Sequence, residues 1–157
     1  MGDGRQRHPR PRAALRRRLR ARPPTPPPGT LPRGWVEKQF QTAIEVDGKR
    51  LDSPTHKVDC YKNGIALEVE WNNKDPFFDR DLNNFRLLFD LRAVSVGVIL
   101  TRADELQEIF KDLGRGSSYG MSTTHMSKLL PRIEGGGGAG CPLLVFGIRK
   151  SLYEGDQ

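Results

Sequence analysis

A mixed β-sheet flanked by helices, of α/β or α+β class and built as one domain, is what this 157-residue sequence predicts. Three observations carry that expectation. The length suits one core of ordinary size. Asn63-Gly64 stands between two strand-like runs and marks a hairpin. Beyond it, amphipathic helical stretches alternate with apolar, β-branched runs.

Taken in order, residues 35–45 read as a helix, because Val36, Phe40, Ala43 and Ile44 fall on one stripe at helical spacing. Asp47-Gly48 is a turn that opens a first strand toward Leu51. Residues 56–61 and 65–71 are strands flanking Asn63-Gly64, the dipeptide best suited to the positive φ angles of a type I′ turn. Pro76 and Asp79 precede a helix reaching Arg92, with Leu82, Phe85, Leu88 and Phe89 on its buried side. Residues 94–100 read as a central strand buried on both faces. Thr101 and Asp104 have the Ser/Thr-x-x-acid form of an N-cap for a helix bearing Leu106, Ile109, Phe110 and Leu113, which Gly114 stops. A short helix over residues 124–130, a glycine loop at 135–138 and a last strand over 143–148 complete the order.

The formal charge of +7 suggests a nucleic-acid partner until it is divided by position. Residues 1–34 hold ten arginines against Asp3, which leaves 16 basic and 18 acidic residues for the rest of the chain. The same stretch has eight of the twelve prolines, and its composition predicts a disordered or polyproline-like segment. It reads either as a basic arm gripping phosphates without sequence preference or as a plain N-terminal extension. Domain boundaries follow: a tail over residues 1–33, a folded domain over 34–152 and a short tail over 153–157. No apolar run approaches the roughly 20 residues of a membrane span, and the arginine-rich start has no signal-peptide core. Cys60 and Cys141 form no C-x-x-C pair and are too few for a disulfide scaffold, so a reducing, cytoplasmic setting is expected.

The chemistry concentrates on the hairpin. A two-residue loop at Asn63-Gly64 pairs Lys62 with Ile65, Tyr61 with Ala66, Cys60 with Leu67 and Asp59 with Glu68. Alternation puts Ala66, Glu68 and Glu70 on one face, so Asp59, Glu68 and Glu70 lie together with neighbouring carboxylates about 5 Å apart. Like charges directly opposite destabilise a sheet, and a hard divalent cation compensates them naturally. The plain alternative is a solvated face neutralised by Lys62 and by Lys57 across from Glu70.

The segment Asp59-Cys60-Tyr61-Lys62-Asn63-Gly64-Ile65-Ala66-Leu67-Glu68-Val69-Glu70, continued by Trp71-Asn72-Asn73-Lys74, resembles the catalytic hairpin of PD-(D/E)XK nucleases. Within them it is similar to the BglII type of type II restriction endonucleases, relatives of BamHI. Gly34-Trp35-Val36-Glu37-Lys38, Ser122-Thr123-Thr124-His125, Lys128-Leu129-Leu130-Pro131 and Gly140-Cys141-Pro142 extend the resemblance from about Gly34 to Ile148. The superfamily has Lys at the last motif position, where this sequence has Glu70; the resemblance implies a subgroup in which Glu or Gln replaces that Lys.

The resemblance implies Mg²⁺-dependent phosphodiester hydrolysis of double-stranded DNA at a short palindrome, GATC-centred by analogy. Asp59 and Glu68 would ligate the metal, which polarises the scissile phosphate and lowers the pKa of a bound water. Glu70 would orient or deprotonate that water. Glu37, on the predicted first helix, is a candidate to touch the metal shell or an exposed helix acid. Asn73 is a candidate for adenine contacts or a turn residue. Ser122, Thr123, Thr124 and His125 lead into a helix able to present polar groups to phosphates or base edges, with a plain N-cap and a packed histidine as alternatives. Lys128 and Arg132 would contact phosphates or form a solvated face. The family further implies a homodimer, for which the helix at residues 79–92 is a candidate surface, and a companion DNA methyltransferase. Two other readings remain: a DNA-binding module that has lost cleavage, and a repair-type nuclease of the same superfamily without tight specificity.

Overall fold

The computed structural model describes residues 30–155, so the arginine- and proline-rich stretch lies outside the described residues except for its last positions. Six strands form one sheet: β1 (Thr30–Leu31), β2 (Trp35–Gln39), β5 (Lys57–Lys62), β6 (Ile65–Glu70), β7 (Val96–Arg102) and β8 (Leu143–Ile148), in the order β1-β2-β5-β6-β7-β8. The pairs from β1 to β6 are antiparallel; β6, β7 and β8 run parallel. Helix α1 (Phe77–Asp90) makes the crossover from β6 to β7, and α2 (Leu106–Asp112) and α3 (Met126–Glu134) lie between β7 and β8. This is the expected mixed sheet with flanking helices.

The first predicted helix is corrected. Residues 35–39 are β2, and the chain leaves the sheet at Phe40 to build a separate hairpin of β3 (Ala43–Val46) and β4 (Lys49–Asp52). Phe40 turns toward the main core and meets Tyr61 edge-on at 5.1 Å, whereas Ile44 and Val46 belong to the exposed hairpin. The helical stripe is thus two strands whose apolar residues coincide in spacing. Asp47-Gly48 does form a turn, with φ angles of 51° and 73°.

The core lies between α1 and the sheet. Phe78, Leu82, Phe85 and Leu88 project from α1 onto Val58, Ala66, Val94 and Ile99, with Leu129 and Cys141 closing one side. Contact is tight because β7 has Gly97 under the helix: a Cβ there would stand 2.5 Å from the Phe85 ring and 2.9 Å from Leu143. Three successive residues of β7, Gly97, Val98 and Ile99, are buried, as expected of a central strand. The opposite face is more open, with Leu144 and Phe146 of β8 each half exposed.

Two details of the helices differ from expectation. Thr101 lies within β7 and Asp104 turns to His125, so neither caps α2; Gly114, at φ 69°, does end it. α3 starts two residues later than predicted and runs to Glu134. Among the described residues no helix is long and apolar enough to cross a membrane.

Candidate active site

The β5–β6 turn has the φ angles its dipeptide favours, 48° at Asn63 and 81° at Gly64. Lys62 pairs with Ile65, Tyr61 with Ala66 and Cys60 with Leu67, and there the ladder stops, one pair short of Asp59 and Glu68. On the other edge of β5, Val36 faces Tyr61 while Lys38 faces Val58. β5 therefore has one residue more than β2 over this stretch, a β-bulge at Asp59-Cys60. The bulge sets Val58 on the face of Tyr61, where it is fully buried.

It also changes what the two acids meet. The Asp59 N–H donates to Glu68 Oε2 at 3.2 Å, and the Val69 N–H donates to Asp59 Oδ2 at 2.9 Å. Amides withdrawn from the ladder thus offset the repulsion that a directly facing Asp59–Glu68 pair would suffer. Asp59 stays exposed, whereas Glu68 is fully buried.

Helix α1 adds a third acid. Asp81 occupies a core-facing position between Phe78 and Phe85 and is fully buried beside the sheet. His56, one residue ahead of β5, completes a group: His56, Glu68 and Asp81 each present one ligand atom within 4.8 Å of the others. Arg80 ties the acids together. Its Nε and Nη2 donate to Asp81 Oδ1 at 2.9 and 2.7 Å, and Nη2 also reaches Glu70 Oε1 at 3.2 Å. Asn73 Nδ2 donates to the other Glu70 oxygen at 3.0 Å, so both oxygens of Glu70 are engaged.

One guanidinium does not balance three buried carboxylates. Burial first, then the charge of Asp81, pushes Glu68 up to about 9. Burial, then the charge of Glu70, pushes Asp81 up to about 7 against the pull of Arg80. Burial and Arg80 lower the His56 pKa, while Asp81 and Asp59 act the other way. Glu68 Oε1 and Asp81 Oδ2 have no hydrogen-bond partner among the described residues. Buried oxygens left without donors are costly, and a divalent cation is the partner such a donor set fits.

The remaining predicted residues are placed as follows. Glu37 is on strand β2, not on a helix, and pairs with Lys57. Lys57 therefore meets Glu37 rather than Glu70. Lys62 donates to the Arg33 carbonyl at 2.6 Å. Thr123, Thr124 and His125 are buried. Arg102 donates to the Thr124 carbonyl at 3.0 Å and to the Thr123 hydroxyl, and His125 Nδ1 meets Asp104. Ser122 is exposed and receives Lys74 at 3.4 Å. Lys128 and Arg132 lie on one side of α3, facing Asp75 at 3.7 and 3.6 Å, and Arg132 also holds Asp79 at 2.8 Å. The Asn73 carbonyl accepts the Thr124 N–H at 2.8 Å, which joins this layer to the hairpin. Arg80, Asp81 and His56 are not among the residues expected from sequence. The available signal is Asp81 itself, an acid on the apolar stripe between Phe78 and Phe85.

A mixed sheet whose hairpin and crossover helix gather carboxylates is the architecture of a restriction-endonuclease-like fold. The family is more particular: the family model for restriction endonuclease BglII/BglIII matches residues 3–148, and the chain belongs to that family. It is thereby a type II site-specific deoxyribonuclease acting on DNA, in a family that generally uses a divalent metal. The matched stretch begins within the arginine-rich segment. A search of the curated proteins finds no match.

Proposed function

We propose that this chain is a Mg²⁺-dependent endonuclease that cuts double-stranded DNA at a short palindrome, GATC-centred by family analogy, as a homodimer. A companion methyltransferase would protect host DNA. The observation that carries the catalytic reading is the bulged hairpin. It sets an exposed Asp59 beside a buried Glu68 whose second oxygen is unpartnered among the described residues.

Asp59 and Glu68 would hold the cation. When bound, a divalent cation polarises the scissile phosphate and lowers the pKa of an attacking water. Glu70, whose two oxygens are held by Arg80 and Asn73, would orient that water through its remaining lone pairs. Asn73 has one face toward Glu70 and its amide oxygen for a base edge or backbone contact. Ser122, the exposed member of its polar run, is the readiest of those residues to reach DNA. Thr123, Thr124 and His125 support it from within, and Lys128 offers charge at the rim.

The test is incubation of the full chain with unmethylated plasmid in Mg²⁺ beside an Asp59→Ala control. Discrete fragments that disappear with EDTA and in the variant are expected, and their mapped ends give the site. A smear would make it a nonspecific nuclease. Intact DNA with a retained gel shift would reduce it to a binding module.

A further inference from the structure

We propose that His56, Glu68 and Asp81 together form a mixed nitrogen–oxygen site for a divalent cation, and that its imidazole makes the chain bind Mn²⁺ more tightly than Mg²⁺. The inference rests on reading Glu68 as a metal ligand and adds two ligands, from the approach to β5 and from α1, that the hairpin motif does not contain.

Geometry brings the three together. Their ligand atoms lie within 4.8 Å of one another although the residues span three separate stretches of chain. The second observation concerns the oxygens. Glu68 and Asp81 are each fully buried, and each has one oxygen already engaged, by the Asp59 amide and by Arg80 respectively. The other oxygen of each has no donor among the described residues. Two solvated acids would not need a partner; two desolvated ones do. Asp81 also sits where α1 otherwise presents Phe78, Leu82 and Phe85, and Arg80 pairs with only one of its oxygens, leaving Oδ2 without a donor among the described residues.

The donor chemistry sets the preference. Mg²⁺ favours oxygen ligands and releases its waters reluctantly, whereas imidazole suits later first-row ions. Two carboxylates with one histidine therefore favour a first-row transition ion over Mg²⁺, and Mn²⁺, the weakest binder of that series, is the EPR-active probe that tests the preference most strictly. His56 is only half-buried, so an ion has a route in from the surface.

The experiment uses the full chain and Mn²⁺ alone, with binding followed by loss of the free-ion EPR signal and ligation by pulsed EPR. One Mn²⁺ with a nitrogen coupling is expected, displaced only by a large excess of Mg²⁺. His56→Gln should lose the coupling and weaken binding at least about tenfold; Asp81→Asn should weaken it similarly. Asp59→Asn should keep the coupling. Wild-type protein decides whether a nitrogen ligates at all, and since the chain has three histidines, His125→Gln, which should keep the coupling, assigns it to His56 even if His56→Gln folds poorly. Mn²⁺ binding without nitrogen coupling, lost in Asp59→Asn but kept in Asp81→Asn, would overturn the proposal and leave the ion on Asp59 and Glu68 alone. No Mn²⁺ binding would also overturn it; Mg²⁺-dependent plasmid cleavage by the same sample would then show that the nuclease reading survives, and uncut DNA that both fail.

Discussion

Glu68 is fully buried and close to Asp81, and its stability contribution follows from that setting. Its folded pKa, about 9, stands above the ordinary 4.5, so the folded state keeps a proton that the unfolded state loses. The contribution is complete below the ordinary value and declines as pH rises toward about 9. Asp81, raised from 3.8 to about 7, acts in the same sense over its own lower window. Cation-free protein is therefore expected to melt at progressively lower temperature as pH rises from about 5 to 9, and Glu68→Gln to flatten that fall. Thermal melts in EDTA across this range check it; a wild-type profile already flat would refute it. Arg80 bears on the same acids from the other side. Arg80→Ala leaves Asp81 and Glu70 without their shared cation. Breaking a wholly buried pair costs about 3–5 kcal/mol, and with Arg80 a third exposed a loss of about 2 kcal/mol is expected. Urea denaturation measures it, and adding Asp81→Asn should restore part of the loss because the unpaired buried charge is then gone.

At the scale of elements, the site depends on how closely α1 approaches β7. Gly97 allows that approach, and Phe85, which packs against it, is one turn beyond Asp81 on the same helix face. Gly97→Ala would force the Phe85 ring outward, with an expected cost of about 1–3 kcal/mol. Because the helix moves as a unit, Mn²⁺ affinity should fall too; a full stability loss with unchanged affinity would show that the helix does not place Asp81. The same elements show what is legible from sequence. The β5–β6 hairpin is readable because Asn63-Gly64 encodes its turn locally, and β8 because its apolar run is short and bounded. β2 reads as helix because Val36 and Phe40 serve one sheet and Ala43 and Ile44 another hairpin, a division set by tertiary pairing alone. The bulge at Asp59-Cys60 is equally hidden, since it exists only relative to β2. Strand alternation is enough to put Glu68 and Glu70 on one face; Asp59, at the bulge, meets Glu68 through its amide rather than across the ladder. Asp81 and His56 join them only through the docking of α1 and the approach to β5.

At the scale of the whole molecule, the carboxyl ends of the parallel strands β6, β7 and β8 meet in register at Glu70, Thr101 and Gly147, and the acids collect at that end. This poses an electrostatic problem. Residues 35–157 have 16 basic against 18 acidic residues, and several of the basic ones are paired within the fold. Such a domain gains little from the counterion release that drives DNA binding. A bound divalent cation reduces the repulsion locally but does not supply a positive surface along the duplex. The excess of positive charge lies instead in residues 1–29, where nine arginines stand against one aspartate, and the family match begins inside that segment. These arginines are expected to meet phosphates, which lend affinity without reading sequence. Deleting residues 1–29 should therefore weaken DNA binding at low salt and make the plot of log K against log salt shallower, by about 0.9 for each phosphate no longer neutralised. Cleavage positions on plasmid DNA should not move, because the hairpin and the residues around Asn73 are intact. Equal salt slopes for the two chains would place the phosphate-binding groups on the folded domain, despite its charge balance. Altered cleavage positions would mean instead that the arginine-rich segment takes part in reading the sequence.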